Sequence, residues 1–441
     1  MSKTNAREYA FNILEDIIIN DAYSNIAINK IFNSKQINLQ DKKFITELVY
    51  GTLKNKIYLE HILKHYSKVR IKSKVKVLLI MSIYQILNMD KTPNFATVNE
   101  AVNIAKKIMG NHTSKFVNGV LRTIIRTFNE KNLQYDNEKQ KICIENSCPE
   151  ELFNILENQY GLEIAQDIIL AFNKKSENSI RYNPIKTTKE KLLKYFKDNN
   201  INAKESVICE DCILLNSLDL NDLYFEEGMY TIQDEASSLV ACVLNEDNKR
   251  SMDILDTCAA PGGKSLHIAS KYLNSNLTAC DKYIHKLNLI NKNIERLNID
   301  NIITINQDAT KLNNNFKNKF DIVICDVPCS GIGVIKNKPE IKYKITDNYI
   351  QDISKIQYSI LENSINYLKP NGLLVYSTCT IDKRENEYNI KRFLEKYPNF
   401  VLEKINIDSI VSEKETGILN ILPNEYNCDG FFIAKLRKLE A

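Results

Sequence analysis

Two cysteines sit where chemistry could use them. Cys329 follows an apolar run and an acid in Asp326-Val-Pro-Cys-Ser-Gly-Ile-Gly333, and Cys379 lies in Ser377-Thr-Cys-Thr380 after the next apolar run. A thiol reacts as its thiolate, and an ordinary cysteine has a pKa of about 8.5, so a reactive one needs neighbours that favour the anion. A cysteine without such neighbours is an inert core residue. Acids recur at similar places, Asp256, Asp281, Asp308 and Asp326. A third stretch is a small-residue turn, Cys258-Ala259-Ala260-Pro261-Gly262-Gly263-Lys264. Glycines there let the backbone approach a ligand, and a helix starting at the turn offers it N–H groups.

The ligand is constrained by what the turn lacks. A phosphate loop of the G-x-x-x-x-G-K-[ST] type fits Gly263-Lys264-Ser265, but its first glycine would fall at Cys258. The G-x-G-x-x-G dinucleotide pattern fails as well. Asp281 lies 18 residues after Gly263, close to the roughly 20 expected of an acid that grips a ribose diol. A carboxylate-rich rim without a phosphate cradle suits a nucleoside that carries a positive group, and S-adenosylmethionine, a sulfonium, fits. Any one of these aspartates could instead cap a helix; as a set in phase at strand ends they describe a cofactor rim.

The elements that must hold these residues read as a βα rhythm from about residue 236. Strands are expected at 252–257, 276–281, 301–306, 320–326 and 372–378, with helices between them. Short, nearly all-apolar strands alternating with helices predict a parallel sheet covered on both faces. Lys369-Pro-Asn-Gly372 reads as a turn into the fifth strand, and Phe431–Ala434 as a further strand that could form an antiparallel edge. Both thiols face the ligand rim if the sheet places the fourth and fifth strands side by side.

Upstream the pattern changes. Apolar stripes at helical spacing over 4–20, 41–53, 75–88, 96–109 and 113–128 predict an all-α bundle over 1–131. Residues 132–148 are polar and read as a linker. Residues 149–235 read as a small α+β region, with helices at 150–173 and 188–199 and a strand at 179–182. The remainder, 236–441, is the α/β domain. Residues 1–131 hold 21 Lys/Arg against 10 Asp/Glu, a balance of +11; the whole chain is +4, so the rest carries −7. No acid occurs between 61 and 89, where Lys64, Lys68, Arg70, Lys72, Lys74 and Lys76 occur. That is the charge pattern of a phosphate-contacting module joined to an acidic one, or of a solvated face. The 11 cysteines are scattered and odd in number, and read as reduced thiols. Cys209-Glu-Asp-Cys212 has no second pair at metal-site spacing, so no metal is expected. No apolar run reaches membrane-spanning length, and a cytoplasmic monomer is expected.

The motifs around 256–264, 326–331 and 378–379 together resemble those of RNA 5-methylcytosine methyltransferases. The whole chain resembles the bacterial small-subunit ribosomal RNA methyltransferase B family, whose N-terminal bundle is similar to the antitermination factor NusB. The resemblance implies a multidomain protein with a NusB-like bundle, a small α+β region and a Rossmann-like class I methyltransferase domain. It implies methyl transfer from S-adenosylmethionine to C5 of a cytosine in 16S ribosomal RNA, position 967 in that RNA's reference numbering, on naked RNA or an assembling subunit. Residue by residue, it makes Cys258 to Lys264 the methionine-side loop. Asp281 becomes the ribose ligand, Asp308 a neighbour of the adenine, and Asp326 the residue beside the methyl group and the base. Cys379 matches the nucleophile and Cys329 the thiol that assists product release. A protonated Asp326 would stabilise the adduct. Ser265, Val327 and the stretch Ile335–Tyr343 depart from the family's usual residues. Transfer RNA as substrate, or a non-catalytic RNA-binding regulator on the same fold, are the other readings.

Overall fold

The computed structural model describes residues 6–90, 92–218, 222–407 and 417–440. It divides into two units, Met1–Asn173 with Lys338–Lys344, and Lys174–Asn337 with Ile345–Ala441. Among the described residues no helix is long and apolar enough to cross a membrane.

The first unit is helical: α1 (Ala6–Ile18), α2 (Ser24–Ser34), α3 (Leu39–Lys54), α4 (Lys56–Tyr66), α5 (Ser73–Asn88), α6 (Asn94–Met109), α7 (Asn111–Thr127), α8 (Glu138–Glu145), α9 (Glu150–Tyr160) and α10 (Leu162–Asn173). In α1 the buried stripe is Ala10, Ile13, Leu14 and Ile17, spaced to fall on one face. Helix α5 is buried at every residue from Val77 to Gln85 and forms the bundle's centre. The five expected helices are present; residues 4 and 5 of the first lie outside the described residues. Helices α2 and α4 lie outside the expected set, because each buries only three residues and so gives little periodic signal. The stretch expected as a linker holds α8, whose one buried side chain is Cys143. The helix expected over 150–173 is two helices, broken at Gly161, whose φ of 82° is a conformation that favours glycine.

Seven residues from far down the chain complete this unit. Glu340 accepts from Ser24 N and Ser24 Oγ, both at 2.9 Å, and so satisfies donors at the start of α2. Lys342 Nζ donates to Lys54 O at 2.8 Å and Tyr343 Oη to Leu53 O at 2.6 Å, which satisfies carbonyls at the end of α3. An acid at a helix start and a cation at a helix end both complement the helix dipole. Burial nevertheless pushes the Lys342 ammonium down to about 7. The sign follows: above pH 7 the folded state has released a proton that the unfolded chain holds until about pH 10.4. Stability should therefore rise with pH between those values, by at most about 1.4 kcal/mol per pH unit from this group. Denaturant unfolding over a pH series should show that slope in wild type and a flatter one in Lys342→Met.

In the second unit the described residues form two sheets. The smaller contains β1 (Asn178–Tyr182), β2 (Ala203–Glu205), β3 (Cys212–Leu215) and β4 (Tyr230–Ile232), antiparallel in the order β2-β3-β1-β4. Helix α11 (Lys189–Asp198) covers it with Leu192 and Phe196. Two further helices, α12 (Leu223–Glu226) and α13 (Glu235–Cys242), lead to the larger sheet.

That sheet contains β5 (Asp253–Asp256), β6 (Asn276–Asp281), β7 (Ile302–Asn306), β8 (Phe320–Asp326), β9 (Leu368–Thr378), β10 (Phe400–Leu402), β11 (Ile418–Ile421) and β12 (Phe431–Lys438). Its order is β10-β12-β9-β8-β5-β6-β7, with β11 also on β12. Strands β9 to β7 are mutually parallel; β12 is antiparallel to β9, β10 and β11. The helices are α14 (Gly263–Lys271), α15 (Ile284–Leu297), α16 (Asp347–Ser364), α17 (Glu387–Lys396) and α18 (Pro423–Tyr426). The expected turn at 369–372 lies inside β9 as an irregularity, with Asn371 at φ 60° and a register shift against β8. Because β5 is flanked by β6 and β8, the strand order reverses there, and the crevice outside its carboxyl end is where open α/β sheets bind ligands.

Candidate active site

Each predicted acid ends a strand or begins the loop after it. Asp256, at the end of β5, is fully buried; it accepts from Ser265 Oγ at 2.5 Å and from Cys258 N at 3.2 Å. Burial pushes it up to about 7 against those two bonds. It ties the turn to the first residues of α14, and Gly262, at φ 105°, makes the bend. Asp281, at the end of β6, accepts from Ala260 N at 3.3 Å and Tyr283 N at 2.9 Å, one bond to each oxygen. Asp308 accepts from Thr310 Oγ1 at 2.6 Å and pairs with Lys282 at 3.2 Å; the threonine first, then the lysine, hold it below the usual carboxylate range.

Asp326 ends β8. Its two oxygens accept from Lys264 Nζ at 2.7 Å and Ser377 Oγ at 2.8 Å. Lys264 is the residue after the glycine pair, so the turn and the acid are joined by an ion pair. The Lys264 ammonium also lies 5.2 Å from the Phe431 ring centroid. Burial alone would depress it, but Asp326 holds it above the usual lysine range, and Cys379 acts in the same direction.

The two thiols come together. Cys329 Sγ and Cys379 Sγ are 3.1 Å apart, both half-buried. Strands β8 and β9 are parallel neighbours with Asp326 opposite Ser377, so the loops that follow start side by side. The hydrogen bond with Cys379, then burial, pushes the Cys329 thiol up.

Glu385 laces these loops and falls outside the expected site residues. It is fully buried and accepts from Ser330 N at 2.9 Å and Gln357 Nε2 at 2.7 Å; Gln357 also donates to Pro328 O at 3.0 Å. Ser330 and Thr380 share a hydroxyl hydrogen bond of 2.8 Å, and Gly333 N donates to Cys379 O at 3.1 Å. A Cβ on Gly333 would meet Gly430 O at 2.0 Å. Glu385 sits in Lys383-Arg-Glu-Asn386, which reads as a solvated charged turn; no period in the sequence marks it as buried.

The basic patch belongs to the helical unit. Lys64, Lys68, Arg70 and Lys72 are exposed at the end of α4 and in the loop before α5. Lys74 pairs with Glu15 at 2.6 Å and Lys76 with Glu60 at 3.8 Å, so those two charges are partly offset.

The loops around the thiols are thus held by buried polar groups that depend on one acid. Glu385→Ala leaves Ser330 N without its acceptor and removes one of the two acceptors of Gln357 Nε2; an unmet buried donor costs about 1–3 kcal/mol. The variant should melt at lower temperature, and its Cys329 should alkylate faster than in wild type by peptide mass mapping. Glu385→Gln, which keeps one acceptor, should recover part of both.

Known families match three stretches of the chain. Residues 241–437 match the 16S rRNA methyltransferase RsmB/F family, residues 4–126 the NusB family, and residues 148–219 the ferredoxin-like domain of RsmF/B-like methyltransferases. The chain is 36% identical over 447 residues to the probable ribosomal RNA small subunit methyltransferase B of Bacillus subtilis, covering 99% of this chain and 100% of that one. It is 30% identical to the ribosomal RNA small subunit methyltransferase B of Pasteurella multocida, covering 92% and 90%. The fold is shared with the crystal structure of PH0851 (TM-score 0.84, 22% identity, 99% of each chain). It is also shared with NSun6 from Pyrococcus horikoshii solved with SFG (TM-score 0.59, 23% identity, 66% of this chain and 99% of that one).

Proposed function

The chain belongs to the 16S rRNA methyltransferase RsmB/F family, and we propose that it methylates C5 of one cytosine in 16S ribosomal RNA through a transient bond between Cys379 and C6 of the base. It is an S-adenosylmethionine-dependent enzyme, and position 967 is the nucleotide we assign to it. The observation that carries the reading is the 3.1 Å approach of two thiols beside Asp326.

The residues present fit the cofactor. Asp281 and Asp308 each keep acceptor capacity beyond their present bonds, which suits a ribose diol and the adenosine beside it. The turn Cys258–Lys264 opens α14, whose first N–H groups face a ligand. Bound S-adenosylmethionine supplies an electrophilic methyl group on a sulfonium.

The chain's own residues do the rest. C5 of cytosine is a poor nucleophile; attack of the Cys379 sulfur on C6 makes C5 enamine-like, which splits one hard step into easier ones. The Lys264 ammonium favours the Cys379 thiolate. Asp326, positioned by Lys264 and Ser377, accepts from the base amino group and fixes its orientation. The adduct then loses its C5 proton to a base, the C5–C6 double bond re-forms as the Cys379 sulfur leaves, and Cys329 assists that release of the product. A base in a helix leaves its stack to reach these groups. The exposed cations Lys64, Lys68, Arg70 and Lys72, with Lys74 and Lys76 beside them, contact RNA phosphates. The enzyme acts in the cytoplasm as a monomer on naked RNA or the assembling small subunit.

Labelled S-adenosylmethionine and unmodified small-subunit RNA test this directly. Wild type should produce 5-methylcytosine at one site, Cys379→Ala none, and Cys329→Ala a covalent RNA complex visible in a denaturing gel. Full activity in Cys379→Ala would sink the thiol mechanism. In parallel, replacing Lys68, Arg70 and Lys72 with Gln should lower RNA affinity. The salt dependence of log K should flatten by about 0.7–0.9 for each phosphate the protein no longer neutralises.

A further inference from the structure

A second thiol cluster lies outside the catalytic loops. Cys209 and Asp211 precede β3, Cys242 ends α13, and His267 and Lys271 lie on α14. Cys209 Sγ and Cys242 Sγ are 3.8 Å apart, and Cys242 Sγ is 3.4 Å from Asp211 Oδ2. One ligand atom from each of Cys209, Asp211 and Cys242 lies within 4.8 Å of the other two. A tetrahedral ion with sulfur at about 2.3 Å and oxygen at about 2.0–2.2 Å sets edges of roughly 3.8 Å between sulfurs and roughly 3.5 Å from sulfur to oxygen. The Cys209–Cys242 and Cys242–Asp211 separations are close to those edges.

We propose that Cys209, Asp211 and Cys242 bind one divalent ion of the zinc class, with water as the fourth ligand. Two thiolates and a carboxylate are too soft a set for magnesium or calcium and suit zinc. Each thiol gives up its proton to solvent as its sulfur–metal bond forms, two protons per ion. A cleft of about 480 Å³, lined by Ser206, Cys209, Glu210 and Cys242 among others, gives the ion and its water a way in.

The surroundings fit that charge. His267, buried, faces Asp211 Oδ2 through Nε2 at 2.9 Å, the carboxylate–histidine contact that orients metal ligands. Lys271 Nζ lies 2.7 Å from the same oxygen and 4.0 Å from Cys242 Sγ. It must yield to the ion, and Glu210, 3.7 Å away, offers it another carboxylate toward solvent. Arg181 is buried, and among the described residues its Nη2 has no hydrogen-bond partner. The groups that act on it electrostatically are Cys212, Asp211, Cys209 and Cys242. With Lys271 on Glu210, two thiolates and one carboxylate balance the ion and Arg181. The bound ion would clasp the segment before β3 to α13 and, through Asp211 and His267, to α14, the helix that begins with the cofactor turn. The site stands independently of the methyl-transfer chemistry.

Cobalt substitution of the full-length protein tests the site. One Co²⁺ per chain should bind with a sulfur-to-cobalt charge-transfer band and the visible bands of a four-coordinate ion. The bands should disappear in Cys209→Ser and Cys242→Ser and persist when Cys329 and Cys379 are both changed to Ser. Should the clasp variants not fold, wild type still decides. Zn²⁺ should slow alkylation of Cys209 and Cys242 by roughly tenfold or more, mapped by peptide mass, and release about two protons per ion. Absence of a thiolate–cobalt band, its loss only with the catalytic thiols, or alkylation of Cys209 and Cys242 unchanged by Zn²⁺ would each overturn the proposal.

Discussion

The parallel pairing of β8 with β9 is the constraint on which the catalytic arrangement rests. It sets Asp326 opposite Ser377, and everything that follows in each chain segment starts from that register. A slip of one residue would turn every side chain of a strand to the other face, and would separate the acid from the serine that bonds it. The covering residues make such a slip costly. Ile322, Ile324, Leu373 and Val375 are buried in one core, and Val323, Cys325, Leu374 and Tyr376 in another. The hydrophobic alternation on both faces thus specifies the distance between two thiols that lie 50 residues apart in sequence.

On that frame the polar groups form a chain of mutual dependence. Asp256 fixes the turn to α14, the turn presents Lys264, Lys264 pairs with Asp326, and Asp326 bonds Ser377. Buried polar groups are costly when their partners are missing and specific when they are present. Here each one has a partner from a different strand or helix. Glu385 does the same for the outer ends of the loops, collecting donors from Ser330, Gln357 and Thr380.

What is legible in the sequence is what is periodic or local. The strands β5 to β9 are short, nearly all-apolar runs set between helices, and the glycine turn marks itself by composition. The thiols can share a rim only if the fourth and fifth parallel strands are neighbours, and the fold meets that condition. Residues whose role comes from distant partners leave no local trace. Glu385 lies in a charged run, and its burial depends on α16 supplying Gln357. Glu340, Lys342 and Tyr343 lie in a stretch that sequence marks only as unusual, and their meaning comes from the ends of α2 and α3. Cys209-x-x-Cys212 looks incomplete because Cys242, the residue that adjoins it, sits 33 positions away on another element. Short helices such as α2 and α4 escape because three buried residues do not make a period.

The surroundings of Cys329 and Cys379 differ in charge. Two sulfurs 3.1 Å apart cannot both be ionised cheaply, since like charges at that distance oppose each other; in effect they share a proton, as coupled acids do. The neighbours then decide where the charge resides. Lys264 acts on Cys379 as a cation, whereas Glu385 and Asp326 act on Cys329 as anions and push its thiol up, after Cys379 itself and burial. The anionic neighbours therefore favour the protonated thiol at Cys329, which suits the proposed reading that the other sulfur makes the bond to the base. Lys264 is the cation of this group: the glycine turn delivers it to Asp326, and Cys379 as well as Asp326 favours its charged form.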